Sequence, residues 1–541
     1  MDSTKKSVTI EDLPEEVLEY ILSLISPYKD LHECMRVSKL WRRCVQNVVR
    51  IKQRNFLKAI NDFDIKWNKA EDKATQEIPS PLISKRYSHS AVVCDNCMYV
   101  FGGCTSAMTT FNDLWKLDLS TRTWVRPLTT GNYPSPKASS SFVRYENSLV
   151  LFGGWTYPPS YPMYQSWHLF DELHIYDITT SSWKSSCTIN TPPPTAGHSA
   201  SIVGDFMIVF GGLQKPSTVV HCEKSNQVWK LNLKDWTWQE QRVIGPKPNA
   251  RFGHTQVTLD DKNLLILGGS GGPTHQYSDC WLLNMEGRFW TWVKVELEGK
   301  ENAPSNIWSN PGCKIGDKIV ILNRVKQEKD MPIVYYPRSQ WAKVPSEDAR
   351  KKRIDLASRK LDRDENVNGR RGEFRNVRRA SPNHLAANNV DYDDDEGVQL
   401  RIPGPLMNSF MQPPALHNEN VVNKIQNAAD ACKLPLVYPP NRNPFLDSCY
   451  KIKRRKNSNY LGLYVLDISE TMTGRGAATW LPPRNVQEGP DETILYSLVY
   501  GKSELIMFGG ILKDGGTLAQ CSLYSQISNS VYFITAPNYV I

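Results

Sequence analysis

A run of apolar residues that closes on two glycines occurs five times in this chain, at Gly102-Gly103, Gly153-Gly154, Gly211-Gly212, Gly268-Gly269 and Gly509-Gly510. A second register accompanies it: Trp115-Lys116-Leu117-Asp118, His174-Ile175-Tyr176-Asp177, Trp229-Lys230-Leu231-Asn232, Trp281-Leu282-Leu283-Asn284 and Tyr464-Val465-Leu466-Asp467. Six residues beyond the Asp or Asn slot stand Trp124, Trp183, Trp238 and Trp290, and after a longer step Trp480. A unit of roughly fifty residues with four strand-like segments cannot bury its own faces. Copies must pack on one another, which is the pattern of propeller blades.

The residue types fit that reading. Met98–Phe101, Leu149–Phe152 and Met207–Phe210 are continuous apolar runs, as expected for strands covered on both faces. Two glycines after each run allow positive φ where the chain crowds at a blade end. A fifth unit, Lys318-Ile319-Val320-Ile321-Leu322, ends in Asn323-Arg324 instead of a glycine pair and is recognised by its position, making six blades. The last unit stops after Val531-Tyr532-Phe533-Ile534 without a tryptophan strand, and Phe63-Asp64-Ile65-Lys66-Trp67 carries the missing pattern. Residues 63–69 are therefore expected to supply the outer strand of the last blade and close the ring, leaving no open edge to aggregate.

Before the blades, Pro14 opens a helix whose first turn holds Glu15 and Glu16. Val17, Leu18, Ile21, Leu22, Leu24 and Ile25 form its apolar stripe, and Pro27 stops it. Leu31, Cys34 and Met35 suggest a second short helix, and Ser38 an N-cap for a third carrying Leu40, Trp41, Val45 and Val48. So small a unit has too much surface to hide all of these internally, so some are expected to meet a partner.

Leu13-Pro14-Glu15-Glu16-Val17-Leu18, Ile21-Leu22-Ser23 and Val37-Ser38-Lys39-Leu40-Trp41 resemble the F-box over residues 11–50. The glycine-pair units resemble kelch repeats across nearly all of residues 86–541. In order and spacing the chain looks most like the F-box only protein forty-two type of F-box and kelch protein. The fold expected is a small all-α F-box module followed by an all-β six-bladed kelch propeller over 63–541, its fifth blade carrying a long, largely disordered insertion at 325–457.

The resemblance implies the substrate-recognition subunit of an SCF-type cullin-RING E3 ubiquitin ligase. Leu13, Pro14, Leu18, Ile21, Leu22, Leu40 and Trp41 would bind the adaptor, the cullin scaffold would follow, and the propeller would hold a protein substrate for ubiquitination and degradation. No catalytic residue, cofactor or metal is implied. The alternatives are a ligase-independent kelch scaffold and a kelch-bladed copper oxidase, which would need an axial Tyr and His cluster and usually an export signal. For the substrate face, the loops after the glycine pairs and after the tryptophan strands open on one side. Arg86, Tyr87, Trp155, Tyr157, Tyr161, His198, Arg251 and His254 are the candidates there, each with a structural turn role as its rival.

Charge and composition narrow the partners. The net charge is +9, and residues 326–457 hold 25 Lys or Arg against 17 Asp or Glu, leaving the rest nearly neutral. Neither nucleic acid nor membrane is expected as a partner. No run approaches the roughly 20 apolar residues of a membrane span, and Met1-Asp2-Ser3-Thr4-Lys5-Lys6 opens no secretory signal. The 12 scattered cysteines read as buried thiols, and the expected location is cytoplasmic, nuclear or both. Lys451–Lys456 looks like a nuclear import signal, and Arg378-Arg379-Ala380-Ser381 like a basophilic kinase site. Gly268-Gly269-Ser270-Gly271-Gly272 matches a nucleophile elbow only as a string, since no helix follows. Cys94-Asp95-Asn96-Cys97 reads as a hairpin, lacking a second cysteine pair for zinc.

Overall fold

The structure is a computed structural model that describes residues 10–70, 81–107, 109–157, 167–186, 188–215, 222–272, 274–325, 459–485, 488–513 and 526–537. Six four-stranded antiparallel blades follow one another. In the first, Ser90–Cys94, Cys97–Phe101, Leu114–Asp118 and Thr123–Val125 pair in chain order, with Asp95-Asn96 turning between the first two strands. The innermost strands touch in a closed cycle, from Ser90–Cys94 through Ser141–Tyr145, Ser199–Val203, Thr255–Thr258, Gly312–Ile315 and Ser497–Tyr500 back to the first. This is a six-bladed propeller.

Closure is made by the amino-terminal part of the chain. Lys66–Lys69 pairs antiparallel with Val531–Thr535 as the outer strand of blade 6, with Trp67 opposite Ile534. In the other blades the equivalent pairs are Leu117 with Trp124, Tyr176 with Trp183, Leu231 with Trp238, Leu283 with Trp292 and Leu466 with Trp480. Blade 4 thus differs from the sequence register. Trp290 stands six residues after Asn284, but the turn there is two residues longer, and Trp292 takes the structural slot. The rings join neighbouring blades: Trp124 meets Phe508, Trp183 meets Phe101, Trp238 meets Phe152 and Trp292 meets Phe210, with centroids 4.7–5.5 Å apart. The core therefore lies between blades, which is why the middle strands are apolar on both faces.

The glycine pairs have a conformational reason. All five repeat φ near +67° and then near +96°, a left-handed region that a Cβ disfavours. A Cβ on Gly153 would also lie 2.4 Å from the Thr195 carbonyl oxygen and 2.8 Å from the His198 ring. Gly153→Ala should cost about 3 kcal/mol, from the strained φ plus the contact. Urea denaturation would read this as a lower midpoint at unchanged slope; an unchanged midpoint would refute it. Blade 5 has no such pair, and without that turn its strands stay extended. Lys318–Arg324 pairs with Leu461–Asp467 out to Arg324 opposite Leu461, carrying both ends beyond the rim to residues 326–458. The expected insertion, its Lys451–Lys456 signal and the Ser381 site lie outside the described residues.

One feature of the blades left no trace in the repeat pattern. After an outer strand the chain lays a short parallel strand along the next blade's outer edge: Thr130–Gly131 on Ser182–Trp183, and Val243–Ile244 on Trp290–Thr291. Between blades 4 and 5 a single strand, Trp290–Glu298, does both jobs, with Glu296–Glu298 pairing to Ala477–Thr479.

Three helices precede the ring: α1 (Glu15–Ser23), α2 (Lys29–Cys34) and α3 (Lys39–Asp62). Pro14 caps α1, its carbonyl accepting from Val17 and Leu18. The Ser38 hydroxyl accepts from the Trp41 amide at 3.2 Å and starts α3. That helix runs through residues 51–62 instead of giving way to a linker, and ends where Phe63 turns left-handed at φ +56°. No helix among the described residues is long and apolar enough to cross a membrane.

Candidate functional site

Two surfaces matter, one on the helices and one on the ring. Leu18, Leu22, Leu31, Cys44, Val45 and Val48 form the helical module's own core. Leu18 and Leu22, expected on the adaptor surface, are each only 1% exposed, because the i, i+4 face of α1 is what α3 covers. Of the remaining candidates, Pro14 is exposed, and Leu13, Ile21, Leu40 and Trp41 are half-buried, the last two leaning on that core. The exposed apolar residues are Ile10, Val17, Tyr20, Leu24 and Val37. Val17, Tyr20 and Leu24 stand at i, i+3 and i+7, a second stripe that the broad apolar pattern of α1 had merged with the first.

The module is built into the ring. Phe56 and Ile60 of α3, followed by Phe63 and Ile65, share a core with Cys313 and Ile315 of blade 5 and Leu498 and Leu505 of blade 6. Tyr28, between α1 and α2, is fully buried among Met98, Trp115 and Phe533 of blades 1 and 6. Its hydroxyl donates to Glu504 at 2.5 Å, and Arg122 grips the same carboxylate with both guanidinium nitrogens at 2.7 and 2.8 Å. Burial, and then the Glu504 charge, push the Tyr28 phenol well up. Contacts fall on hairpins at Ser120–Arg122, Gly316 and Gly501–Glu504, and the end of α3 also reaches the segment after the blade 5 outer strand, where Asn485 donates to the Asp62 carbonyl. Strand alternation puts these hairpins at one end of every blade and the glycine-pair loops at the other, so, that segment apart, the loop face is the one the helices leave uncovered.

On that loop face the expected residues are mostly engaged in holding the ring. Arg86 is fully buried, donating to the Gly102 carbonyl at 2.9 Å and to Asp113 at 2.8 and 3.0 Å. Arg251 repeats this with Gly268 and Asp279 in blade 4, and Lys137 pairs with Glu172 at 2.6 Å in blade 2. Burial pushes the Asp113 carboxyl up, but Arg86 outweighs it and leaves it below the usual carboxylate range. Tyr87, 1% exposed, shares a 3.0 Å hydroxyl contact with Tyr157. Trp155 is buried, edge-on to Tyr157 at 4.9 Å and tilted against Trp167 at 4.3 Å. Tyr161 lies outside the described residues. Tyr157 is thus the one candidate among the described residues that keeps appreciable exposure, and Trp167 and Trp308 join it at the rim of the same aromatic cluster. The repetition that made these positions conspicuous is itself the mark of scaffolding.

His198 and His254 belong to a circuit of hydrogen bonds around the axis. Nε2 of His89, His198 and His254 faces the hydroxyls of Ser497, Ser141 and Ser199 on the neighbouring blades. Ser90 donates to the Ser140 carbonyl at 2.6 Å, Thr255 to the Asn310 carbonyl at 2.7 Å, and Tyr496 to the Leu322 carbonyl at 2.6 Å, so every pair of adjacent blades is joined. Burial drives all three histidines down to about 3, so they are neutral at physiological pH. They surround a channel of about 310 Å³ lined by residues of all six blades.

Two family models match the chain: an F-box-like domain over residues 10–58, and the FBX42 beta-propeller domain over residues 86–292. The two matches are consistent with an F-box and kelch protein of the FBX42 type. Beyond its F-box, the kelch part is similar to Kelch domain-containing protein 3 of Homo sapiens, 24% identical over 48% of this chain and 67% of that protein. It is also similar to Acyl-CoA-binding domain-containing protein 4 of Arabidopsis thaliana, 28% identical over 44% of this chain. The chain spans about a third of that relative's length, 34%. A solved structure titled "Structure of YjhT" aligns at a TM-score of 0.36 and 16% identity, over 45% of this chain and 73% of that one. An F-box joined to a kelch propeller supports a substrate-recognition role and suggests a non-catalytic adaptor, and an F-box implies binding to a Skp1-type adaptor.

Proposed function

We propose that this chain is the substrate-recognition subunit of an SCF-type cullin-RING ubiquitin ligase. The F-box holds the Skp1-type adaptor and through it the cullin scaffold, while the loop face of the propeller holds a protein substrate. Catalysis is borrowed, and the subunit acts by raising the effective concentration of target lysines beside a charged conjugating enzyme. The observation that carries this reading is the fusion of the F-box-like module to the hairpin face, which leaves the loop face and its aromatic rim open. The protein would work in the cytoplasm, the nucleus or both.

Affinity purification from cells, read by mass spectrometry, tests the division of labour. A variant with Leu13, Pro14 and Trp41 changed to alanine should lose adaptor and cullin together while keeping proteins bound at the loop face. Because Trp41 leans on the module's core, Val37→Glu, at a side chain 58% exposed, serves as the surface-only variant and should weaken adaptor capture at least about tenfold. Both variants retaining the adaptor at wild-type levels would overturn the proposal.

A further inference from the structure

The helical module and the ring enclose a cleft of about 500 Å³. Lys52 of α3, Lys66 of the closing strand, Lys502 of the blade 6 hairpin and Arg122 of blade 1 line it. Among the described residues Glu504 is its one acidic side chain. That carboxylate is 3% exposed and already taken on both oxygens by Arg122, with Tyr28 on one of them. Three lysines from three separate elements therefore line one cleft whose single carboxylate is already taken by Arg122, although Glu504 still acts on Lys52 and Asp95, outside the lining, on Lys502. Lys52 donates to the Ile25 carbonyl at 3.2 Å and Lys502 to the Asn96 side chain at 2.9 Å, both uncharged acceptors. Burial holds both lysines below their ordinary value, as expected where positive charge is incompletely compensated.

We propose that the seam between the F-box module and the propeller binds a small phosphate-bearing anion of nucleotide size, held by Lys52, Lys66 and Lys502. The class follows from the donors. Lysine ammonium groups are point charges suited to phosphate oxygens, and the cleft has the volume of an ordinary small-molecule site. A ligand there would touch α3, the closing strand and the blade 6 hairpin together, so its binding would stabilise the junction of module and ring. This inference stands independently of the ligase reading, since no partner protein enters it.

The test uses the full chain at low salt, with inorganic pyrophosphate and ATP as probes. Isothermal titration should give one saturable site for at least one probe, with a rise in unfolding temperature that tracks occupancy. Lys502→Gln should weaken binding about tenfold, the loss expected for one charged contact. Lys66→Gln, at an exposed strand position where folding is not at risk, should do the same. Equal unfolding temperatures of the ligand-free proteins exclude a folding artefact. Absence of saturable binding for both probes overturns the proposal, and so does full affinity retained in both variants. Binding of a polyglutamate peptide alone, with neither phosphate compound competing, would assign the cleft to an acidic protein segment and equally overturn it.

Discussion

A chain begun at residue 81 should fail to form a stable propeller, although every repeat with a glycine pair lies beyond that point. Such a truncation removes Lys66–Lys69, leaving Val531–Thr535 as an unpaired edge in blade 6. It also strips Phe56, Ile60, Phe63 and Ile65 from the core of blades 5 and 6, where each is at most 3% exposed. At about 1.5–3 kcal/mol for each buried side chain, the loss is about 6–12 kcal/mol, comparable with the whole stability of a typical domain. Loss of Tyr28 opens the seam of blades 6 and 1 as well. The truncated chain should therefore show no cooperative thermal transition and should aggregate, while a chain begun at residue 10 unfolds in one sharp step. A truncation with the same transition temperature as the longer chain would show that the ring closes without its amino-terminal strand.

Acid should weaken the ring by an amount that its axial histidines set. His89, His198 and His254 are lowered from 6.5 to about 3, chiefly by burial. Above about pH 6.5 they are neutral in both the folded and the unfolded chain, and their share of stability is fully present. As pH falls below that value the unfolded chain takes up protons that the folded ring refuses, so stability is lost progressively until the folded histidines titrate near pH 3. Each contributes up to about 1.4 kcal/mol per pH unit, so three together cost about 5 kcal/mol between pH 6.5 and pH 5. His174, lowered to about 4, adds to the same trend. The urea midpoint should accordingly fall steeply over that interval, and His198→Gln should remove about a third of the axial slope. A midpoint constant down to pH 5 would mean that the imidazoles are not sealed from solvent.

Much of the architecture is legible in the sequence because its main constraint is repeated. Positive φ at each glycine pair is a local requirement imposed in five blades, and a tryptophan opposite a Leu, Tyr or Ile slot is one imposed in all six. The blade 4 register escaped because a two-residue longer turn moves the pairing without changing the residue types, and Trp290 and Trp292 look alike until Leu283 selects the second. The parallel edge strands escaped because strands such as Thr130–Gly131 are two residues long and carry no alternation. Sites were harder to read for a related reason. Arg86, Arg251, His198 and His254 stood out by recurring, and recurrence in a closed ring marks what every blade needs, here ion pairs and axial hydrogen bonds. The partly exposed rim at Tyr157 and Trp167 belongs to one loop and does not recur. On the helical module one stripe cannot be divided into core and surface without knowing where α3 lies, so the sequence did not separate buried Leu18 and Leu22 from exposed Val17 and Val37.

The most direct measurement is titration of purified full-length chain with purified Skp1-type adaptor, read by size-exclusion chromatography with light scattering. The account predicts a one-to-one complex for the wild type and none for a Val37→Glu variant that keeps the wild-type unfolding temperature. Well-folded wild-type chain that elutes apart from the adaptor at micromolar concentration would contradict it.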